Sequence, residues 1–302
     1  MMPWTDRAGR FSPLKAAVLL GTLLPALYLL WGLLNGTLVG DAPVGPLGAR
    51  PITELLHRTG DWAIRFLLLS LCVSPLRRIL QWPTLINVRR MLGLAAFAYA
   101  LAHLLLYSLD QKFRLGFIVS EIVLRFYLTI GFVALLGLSA LAATSTDAMI
   151  RRLGGNWNRL HSIVYPIALL ATLHFFIQTK LDVYQATLLA GFLLALFGYR
   201  IAQRQGFSLT SPLVLSVIAV MAALGTAALE FAWYGLATNV SPLRVLMANL
   251  QFGYTIRPSW WVLAAGLAVA LVGGIRGLTK KKQPPSQRRT RPAGSAVAER
   301  IG

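Results

Sequence analysis

The chain has 302 residues, of which 56% are hydrophobic and 13% are charged, and its mean hydropathy is +0.64. Soluble domains carry about 25% charged residues, so this composition excludes an ordinary soluble domain and predicts an integral membrane protein. The net charge is +19, but the cations are spread over many loops. That distribution is typical of membrane topology signals and argues against nucleic-acid binding.

Apolar segments of about 20 residues are long enough to cross a bilayer as helices. The sequence contains eight of them, at 14–34, 62–80, 90–109, 122–143, 159–178, 184–202, 212–235 and 260–276. The first runs on through Trp31 with no small-residue cleavage site, so we interpret it as an anchor and not as a removed signal peptide. The second is the weakest, because Arg65 and Pro75 interrupt it. The pattern predicts an all-α integral membrane protein with eight transmembrane helices.

The positive-inside rule gives the orientation. With the N-terminus inside, the cytoplasmic segments hold more than twice as many Lys and Arg residues as the external ones. Both termini are therefore predicted to be cytoplasmic. The loop at 35–61, which is rich in turn residues, is expected to lie outside.

The chain divides into three parts. Residues 10–205 hold six of the predicted helices, 207–278 form a two-helix C-terminal membrane extension, and 279–302 form a basic tail. The tail is rich in Pro, Arg and Ser, so we expect it to be disordered and to lie near anionic membrane lipid. No repeat of fixed period is apparent.

Three of the four histidines, His103, His161 and His174, lie in or at the edge of spanning segments. A polar side chain in hydrocarbon is costly unless it faces the bundle interior with a partner, so each is a candidate functional residue. Imidazole is also the side chain that ligates haem iron in b-type cytochromes.

Two of these histidines are predicted to lie at one depth. His103 follows Arg90 by 13 residues and His174 follows Arg159 by 15, which places them about 20 and 22 Å from the cytoplasmic end at 1.5 Å per residue. Helices three and five run parallel in the predicted topology. The pair fits a haem held between two imidazoles, while two core histidines that bond to neighbouring helices are the alternative.

His161 differs, because it lies at the cytoplasmic end of helix five and does not share a helix face with His174. Pro166 between them can kink the helix. A matching ligand on helix three would have to lie near Arg89 or Arg90, which suit haem propionates or cofactor phosphates better than iron. Three roles stay open for His161: ligation of a second haem, contact with a propionate, or capping of the interface.

Several motifs occur in an order and spacing that resembles the MsrQ (YedZ) family. They are Ser74-Pro75-Leu76-Arg77, the run from Arg89 to His103, Thr144 to Met149, Arg152-Leu153-Gly154, and Trp157 with Leu160-His161. The resemblance covers roughly 10–205. This family is the haem-binding membrane subunit of the bacterial periplasmic methionine-sulfoxide reductase system, and it is related to the ferric-reductase-like transmembrane cytochromes. In those cytochromes, paired histidines on helices three and five hold two stacked haems, whereas this chain has no inner histidine on helix three.

The resemblance implies a six-helix ferric-reductase-like core in the bacterial inner membrane, with haem b and FMN as cofactors. It implies that electrons come from the quinone pool or a cytoplasmic flavin reductase and go to a periplasmic molybdopterin subunit that reduces methionine sulfoxide. The haem-linked positions carried over are His103, His161 and His174. The loop 144–160 offers hydroxyls and positive charge for a phosphate, although an ordinary polar loop has the same composition.

Other interpretations remain. A ferric or other metal reductase would use the same haem path with another acceptor. A proton-relaying transporter would need embedded carboxylates, and Glu230 is the only one. Since the chain has a single cysteine and no molybdenum-site motif, it is expected to relay electrons without reducing the sulfoxide itself. His57 is either a solvated loop histidine or a residue at the external haem edge or a docking surface. Trp260-Trp261 form either an interfacial aromatic belt or a quinone contact.

Overall fold

The computed structural model describes residues 4–5, 9–36, 50–179, 182–238, 240–252 and 255–281. Within these ranges the chain forms α-helices, a short 3-10 helix at Pro83–Val88, and no β-strand, which confirms the all-α prediction. In chain order the helices are α1 (Pro13–Gly36), α2 (Pro51–Ile79), α3 (Arg89–Asp110), α4 (Leu115–Leu124), α5 (Phe126–Ala143), α6 (Asp147–Leu153), α7 (Gly155–His161), α8 (Val164–Thr179), α9 (Tyr184–Arg204), α10 (Pro212–Ala237), α11 (Pro242–Ala248) and α12 (Pro258–Lys281).

Seven stretches of the described chain are long and apolar enough to cross a membrane, which makes this a multi-pass membrane protein. They are Pro13–Asn35, Pro83–Asp110, Phe126–Ala143, Gly155–Thr179, Tyr184–Arg204, Pro212–Ala237 and Pro258–Gly277. Large apolar side chains remain exposed along these helices, as expected where lipid replaces water. The seven stretches match all of the predicted spans except the second.

The second predicted span belongs to α2, which differs from the prediction in two ways. Four charged residues in its first half lower its hydropathy, and its apolar half is buried by protein, with Phe66 and Leu67 only 3% and 2% exposed. The helix also begins at Pro51, where the loop 35–61 was predicted. Proline at a first helical position favours helix initiation. The predicted loop boundary at residue 61 is therefore ten residues beyond the observed start of α2. Residues 37–49 of that loop lie outside the described ranges.

Two predicted spans are broken in the structure. The segment 122–143 is interrupted at Arg125, whose extended backbone (φ −103°, ψ 104°) separates α4 from α5. The segment 159–178 is interrupted by a turn at 162–163, between α7 and α8. Pro166 therefore lies in the first turn of α8, where proline is tolerated because its missing N–H has no helical acceptor. The kink expected at Pro166 is replaced by a break before it.

The main core lies between α2, α3, α5, α8 and α9. Its buried members include Leu71, Ala96, Leu138, Ala168 and Leu193. Helix α1 is fastened to this core by a hydrogen bond from Tyr99 Oη to the carbonyl of Thr22, at 2.9 Å. We call one end of the bundle the basic end, because α2 and α9 finish there and α3 starts there, with Arg77, Arg78, Arg89, Arg90, Arg200 and Arg204.

The extension, α10 to α12, packs directly on α9. The backbones approach closely at glycines, since a Cβ at Gly191 would collide with Thr226 and one at Gly266 would lie 2.5 Å from Ala219 Cβ. Arg276 Nη1 donates to the carbonyl of Leu80, the residue that ends α2, at 2.7 Å. The extension therefore contacts the core at α9 and at the end of α2. The division at 205–207 stays a prediction, and most of the tail 279–302 lies outside the described residues.

A polar network is buried inside the extension. Glu230, 1% exposed, accepts from Arg257 Nη1 at 3.3 Å and from Asn249 Nδ2 at 3.2 Å. Asn249 Oδ1 in turn accepts from Ser259 Oγ at 2.6 Å, and Trp260 Nε1 donates to the Asn249 carbonyl at 2.6 Å. The embedded carboxylate is thus held by an ion pair and a hydrogen bond, as a buried charge requires. Trp260 fastens the loop before α12.

Candidate functional site

The structure brings His103 of α3 and His174 of α8 together. Their ring centroids are 6.3 Å apart and the ring planes stand at 85°. Both side chains are half-buried although their helices are strongly apolar.

Each imidazole is oriented by a backbone carbonyl. His103 Nδ1 lies 2.8 Å from the Leu56 oxygen, and His174 Nδ1 lies 2.7 Å from the Tyr127 oxygen. A carbonyl only accepts, so Nδ1 of each neutral ring carries the proton and Nε2 keeps its lone pair. Metal-binding histidines are commonly oriented in this way, with the second nitrogen donating to a carbonyl.

The two histidines occupy equivalent places in a repeated helix pair. Each carbonyl acceptor lies 47 residues before its histidine and four residues before a glycine that packs under the ring. Leu56, Gly60 and His103 thus recur 71 residues later as Tyr127, Gly131 and His174. The equal spacing belongs to these contacts, and the expectation that the sequence has no repeat of fixed period stays a prediction.

The glycines leave space that the rings use. A Cβ on Gly60 would lie 2.9 Å from His103 Nδ1, and a Cβ on Gly131 would lie 2.8 Å from His174 Nδ1 and Cε1. Distances below 3.0 Å require a displacement of the ring. Glycine at both positions therefore permits the close approach of each imidazole to its carbonyl acceptor.

The separation of the rings fits one metal ion between them. Metal–imidazole bonds are about 2 Å long, so two rings with centroids 6.3 Å apart are close enough that both would be able to hold one metal ion through Nε2. The donor set of two neutral imidazoles is that of a b-type haem.

A separate cavity of about 350 Å³ lies at the basic end. Its walls include the predicted residues Arg89, Arg90 and His161, together with Ser70 and Ser145. Ligand sites commonly fall between about 300 and 1,000 Å³ and combine apolar walls with a few polar groups. The structure therefore divides the predicted site residues into two groups, the histidine pair and this cavity.

His161 is held differently from the other two histidines. Its Nε2 lies 3.1 Å from Thr144 Oγ1, and its ring stacks on Trp157 with centroids 3.9 Å apart. Trp157 Nε1 donates to the Thr144 carbonyl at 2.9 Å, so the three residues form one compact group. The His161 imidazole lines the cavity, and its Nε2 already has a hydrogen-bond partner in Thr144. His103 and His174 use Nδ1 for their hydrogen bonds, which leaves Nε2 available.

The two arginines also differ. Arg90 pairs with Asp147 at 2.6 Å, and both side chains are largely exposed. Arg89 is half-buried, and the like charges of Arg77 and Arg200, which lie at the same end of the bundle, act on it. Of the two arginines, Arg90 therefore has an acidic partner, whereas these contacts give Arg89 none.

The remaining predictions concern exposed or distant residues. His57 lies on α2 and not in a loop, and its side chain is exposed, one residue after the carbonyl that orients His103. The segment 144–160 follows α5 and contains the whole of α6 and most of α7. Thr146 caps α6 by accepting a hydrogen bond from Met149 N. Of the loop hydroxyls expected to be available to a phosphate, Ser145 lines the cavity and Thr144 contacts His161.

Comparison with known proteins agrees with this arrangement. The family model described as "Ferric reductase like transmembrane component" matches residues 59–172, which include His103 and His161 and end two residues before His174. The chain is 49% identical over 156 residues to the protein-methionine-sulfoxide reductase heme-binding subunit MsrQ of Xanthomonas euvesicatoria, covering 51% of this chain and 72% of that one. No solved structure matches.

Two further relatives extend the match. The heme-binding subunits MsrQ of Xanthomonas campestris and Rhodospirillum rubrum are 46% and 43% identical, over 191 and 198 residues. These alignments cover 63% and 65% of this chain and 86% and 88% of the relatives. About a third of this chain therefore lies outside each alignment.

Proposed function

Because this chain belongs to the MsrQ family of haem-binding membrane subunits, we propose that it binds haem b between His103 and His174 and transfers electrons across the bacterial inner membrane. The observation that carries the proposal is the pair of imidazoles 6.3 Å apart, each with Nδ1 on a backbone carbonyl. A haem held there supplies reversible one-electron chemistry.

The residues of the chain have separate tasks in this function. Leu56 and Tyr127 fix the tautomer and the direction of the two rings, which raises the basicity of each Nε2. The apolar side chains of α3 and α8 exclude water from the pair. His161, Arg89 and Arg90 bind the anionic groups of a cofactor in the cavity at the basic end, for which FMN or a second haem is the candidate.

The partners follow from the family and the proposed orientation. With both termini in the cytoplasm, the basic end faces the cytoplasm, where the quinone pool or a flavin reductase supplies electrons. The histidine pair lies toward the periplasm, where a molybdopterin subunit that reduces protein methionine sulfoxide accepts them. The chain acts in this proposal as the relay subunit of the reductase, a role supported by its similarity to subunits named as heme-binding.

The test is the visible spectrum of the purified protein and of two variants, His103→Ala and His174→Ala. We expect a reduced b-type spectrum in the wild type and its loss in both variants. His57→Ala is the matched control, because His57 is exposed one residue after the carbonyl that orients His103. A full spectrum in either membrane variant would exclude that histidine as a ligand.

A further inference from the structure

Helix α11 lies in the connection between α10 and α12, at the end of the bundle opposite the basic end. The start of α10 and the end of α12 meet at the basic end, because a Cβ at Gly274 would lie 3.1 Å from Pro212 Cγ and Arg276 bonds to the end of α2. The connection at 238–257 is therefore at the other end, where Tyr184 Oη of α9 donates to the Ile256 carbonyl at 2.9 Å.

One side of α11 is fixed by buried contacts. Val245 is buried, and Asn249, one turn later, donates through Nδ2 to Glu230 at 3.2 Å. Asn249 also accepts from Ser259 Oγ and, through its carbonyl, from Trp260 Nε1, both at 2.6 Å. These contacts join α11 to both α10 and α12 and determine which of its sides faces outward.

The opposite side of α11 is an exposed apolar stripe. Its spacing, i, i+3, i+4 and i+7, is that of one helix face. Its members are 40 to 66% exposed, and they are Leu243, Leu246, Met247 and Leu250. In a soluble domain such a face packs on the core, but here the inner side is occupied by Val245 and Asn249. A contiguous exposed apolar face marks an interaction surface.

The position of the stripe identifies the bilayer as its partner. Helix α10 has 26 residues and is about 39 Å long at 1.5 Å per residue, whereas the hydrocarbon core of a bilayer is about 30 Å thick. The end of α10, and α11 after it, therefore reach the headgroup region. Trp261 is exposed in the first turn of α12, at the same end, and tryptophan is enriched at this level of membrane proteins.

The charge of the connection also fits a lipid surface. Residues 238–257 contain two arginines and no aspartate or glutamate, and Arg244 is exposed beside the stripe. An apolar face flanked by cations is typical of helices that lie flat in the membrane interface, with the apolar side chains about 5–10 Å inside the boundary. We propose that α11 lies in the headgroup region of the bilayer, with the stripe inserted among the acyl chains. Because its inner side is joined to α10 and α12, this insertion fixes the depth of the extension in the membrane.

The test measures the depth of the stripe in the full-length protein and does not depend on haem or cofactor binding. The single cysteine of the chain is removed by Cys72→Ser, and a nitroxide spin label is attached to Met247→Cys or, as a second stripe position, to Leu243→Cys. Met221→Cys, exposed in the middle of α10, is the lipid control, and Gln205→Cys, exposed after α9, is the water control. Each protein is reconstituted in nanodiscs of phosphatidylcholine with phosphatidylglycerol. Electron paramagnetic resonance then measures collisions of the label with oxygen and with a water-soluble nickel chelate.

We expect the oxygen-to-nickel collision ratio at both stripe positions to exceed that at Gln205→Cys at least about three-fold, because oxygen enters the acyl boundary where the stripe lies and the chelate does not. The ratio should stay below that at Met221→Cys. A stripe ratio equal to that of Gln205→Cys would place α11 in water, and one equal to that of Met221→Cys would place it within the hydrocarbon, and either would overturn the proposal. Labels shielded from both reagents would show that protein, such as a second copy of the chain, covers the stripe, and would overturn it as well. Helical circular dichroism of each labelled variant identifies any that has failed to fold, and the second stripe position then decides the outcome.

Discussion

Gly60 lies directly under the imidazole of His103, so close that a Cβ atom at this position would stand 2.9 Å from Nδ1. The same relationship holds between Gly131 and His174. Each ring is thus fixed from two sides, by a carbonyl that accepts a hydrogen bond from Nδ1 and by a glycine backbone that leaves no room for a side chain.

Gly60→Ala and Gly131→Ala are expected to weaken haem binding about ten-fold, because displacing the ring breaks its bond to the orienting carbonyl and such outer contacts are worth 10- to 100-fold in metal affinity. Haem titration of the apoprotein measures the effect. Gly116→Ala is the control, since a Cβ there meets nothing within 4 Å. Equal haem affinity in all three variants would show that the glycines do not position the histidines.

His161→Ala is expected to keep the b-type spectrum of the His103–His174 haem and to lose the cofactor of the basic-end cavity. The reason is that His161 lines this cavity with Arg89 and Arg90, away from the histidine pair. Haem-to-protein and FMN-to-protein ratios of the purified variant measure both outcomes. If neither ratio changes, His161 is not a cofactor-binding residue.

Arg90 and Asp147 form an exposed ion pair, so its loss should cost less than about 0.5 kcal/mol of the free energy of unfolding. Arg90→Gln and Asp147→Asn are therefore expected to unfold at nearly the wild-type temperature. Cofactor retention should separate them, because only Arg90 lines the cavity. The same loss of cofactor in Asp147→Asn would mean that the pair acts through structure and not through the cation.

Arg257→Ala is expected to destabilise the protein by about 2 kcal/mol, because it leaves the Glu230 carboxylate buried without its cation. Thermal unfolding in detergent, followed by circular dichroism, measures the difference. Arg244→Ala, an exposed arginine of α11, should unfold at the wild-type temperature. Equal midpoints for the two variants would mean that the buried network adds nothing to stability.

Much of the fold could be predicted from the sequence, because apolar length and charge mark spanning helices directly. Seven of the eight predicted spans correspond to apolar stretches in the structure. The exception is the span predicted at 62–80. It belongs to α2, which starts earlier, at Pro51, and carries charged residues in its first half. A proline at a first helical position was the signal available for that start.

The site was only partly predictable. Counting residues placed His103 and His174 at one depth, yet the count assumed a continuous helix across the turn at 162–163. The carbonyls of Leu56 and Tyr127 could not be found in this way, because every residue has the same backbone acceptor. Gly60 and Gly131 did offer a signal, since each precedes a histidine by 43 residues, but that spacing has meaning only once the helices are paired.

The repeated helix pair has a consequence at the basic end. Continuing the 71-residue register from His103 and His174 toward that end places Arg90 opposite His161, each 13 residues before its histidine. At one end of the bundle the two positions related by this register are both histidine, and at the other end they are Arg90 and His161. The two ends therefore offer different side chains to a ligand, two imidazoles at one end and an imidazole with a permanent cation at the other.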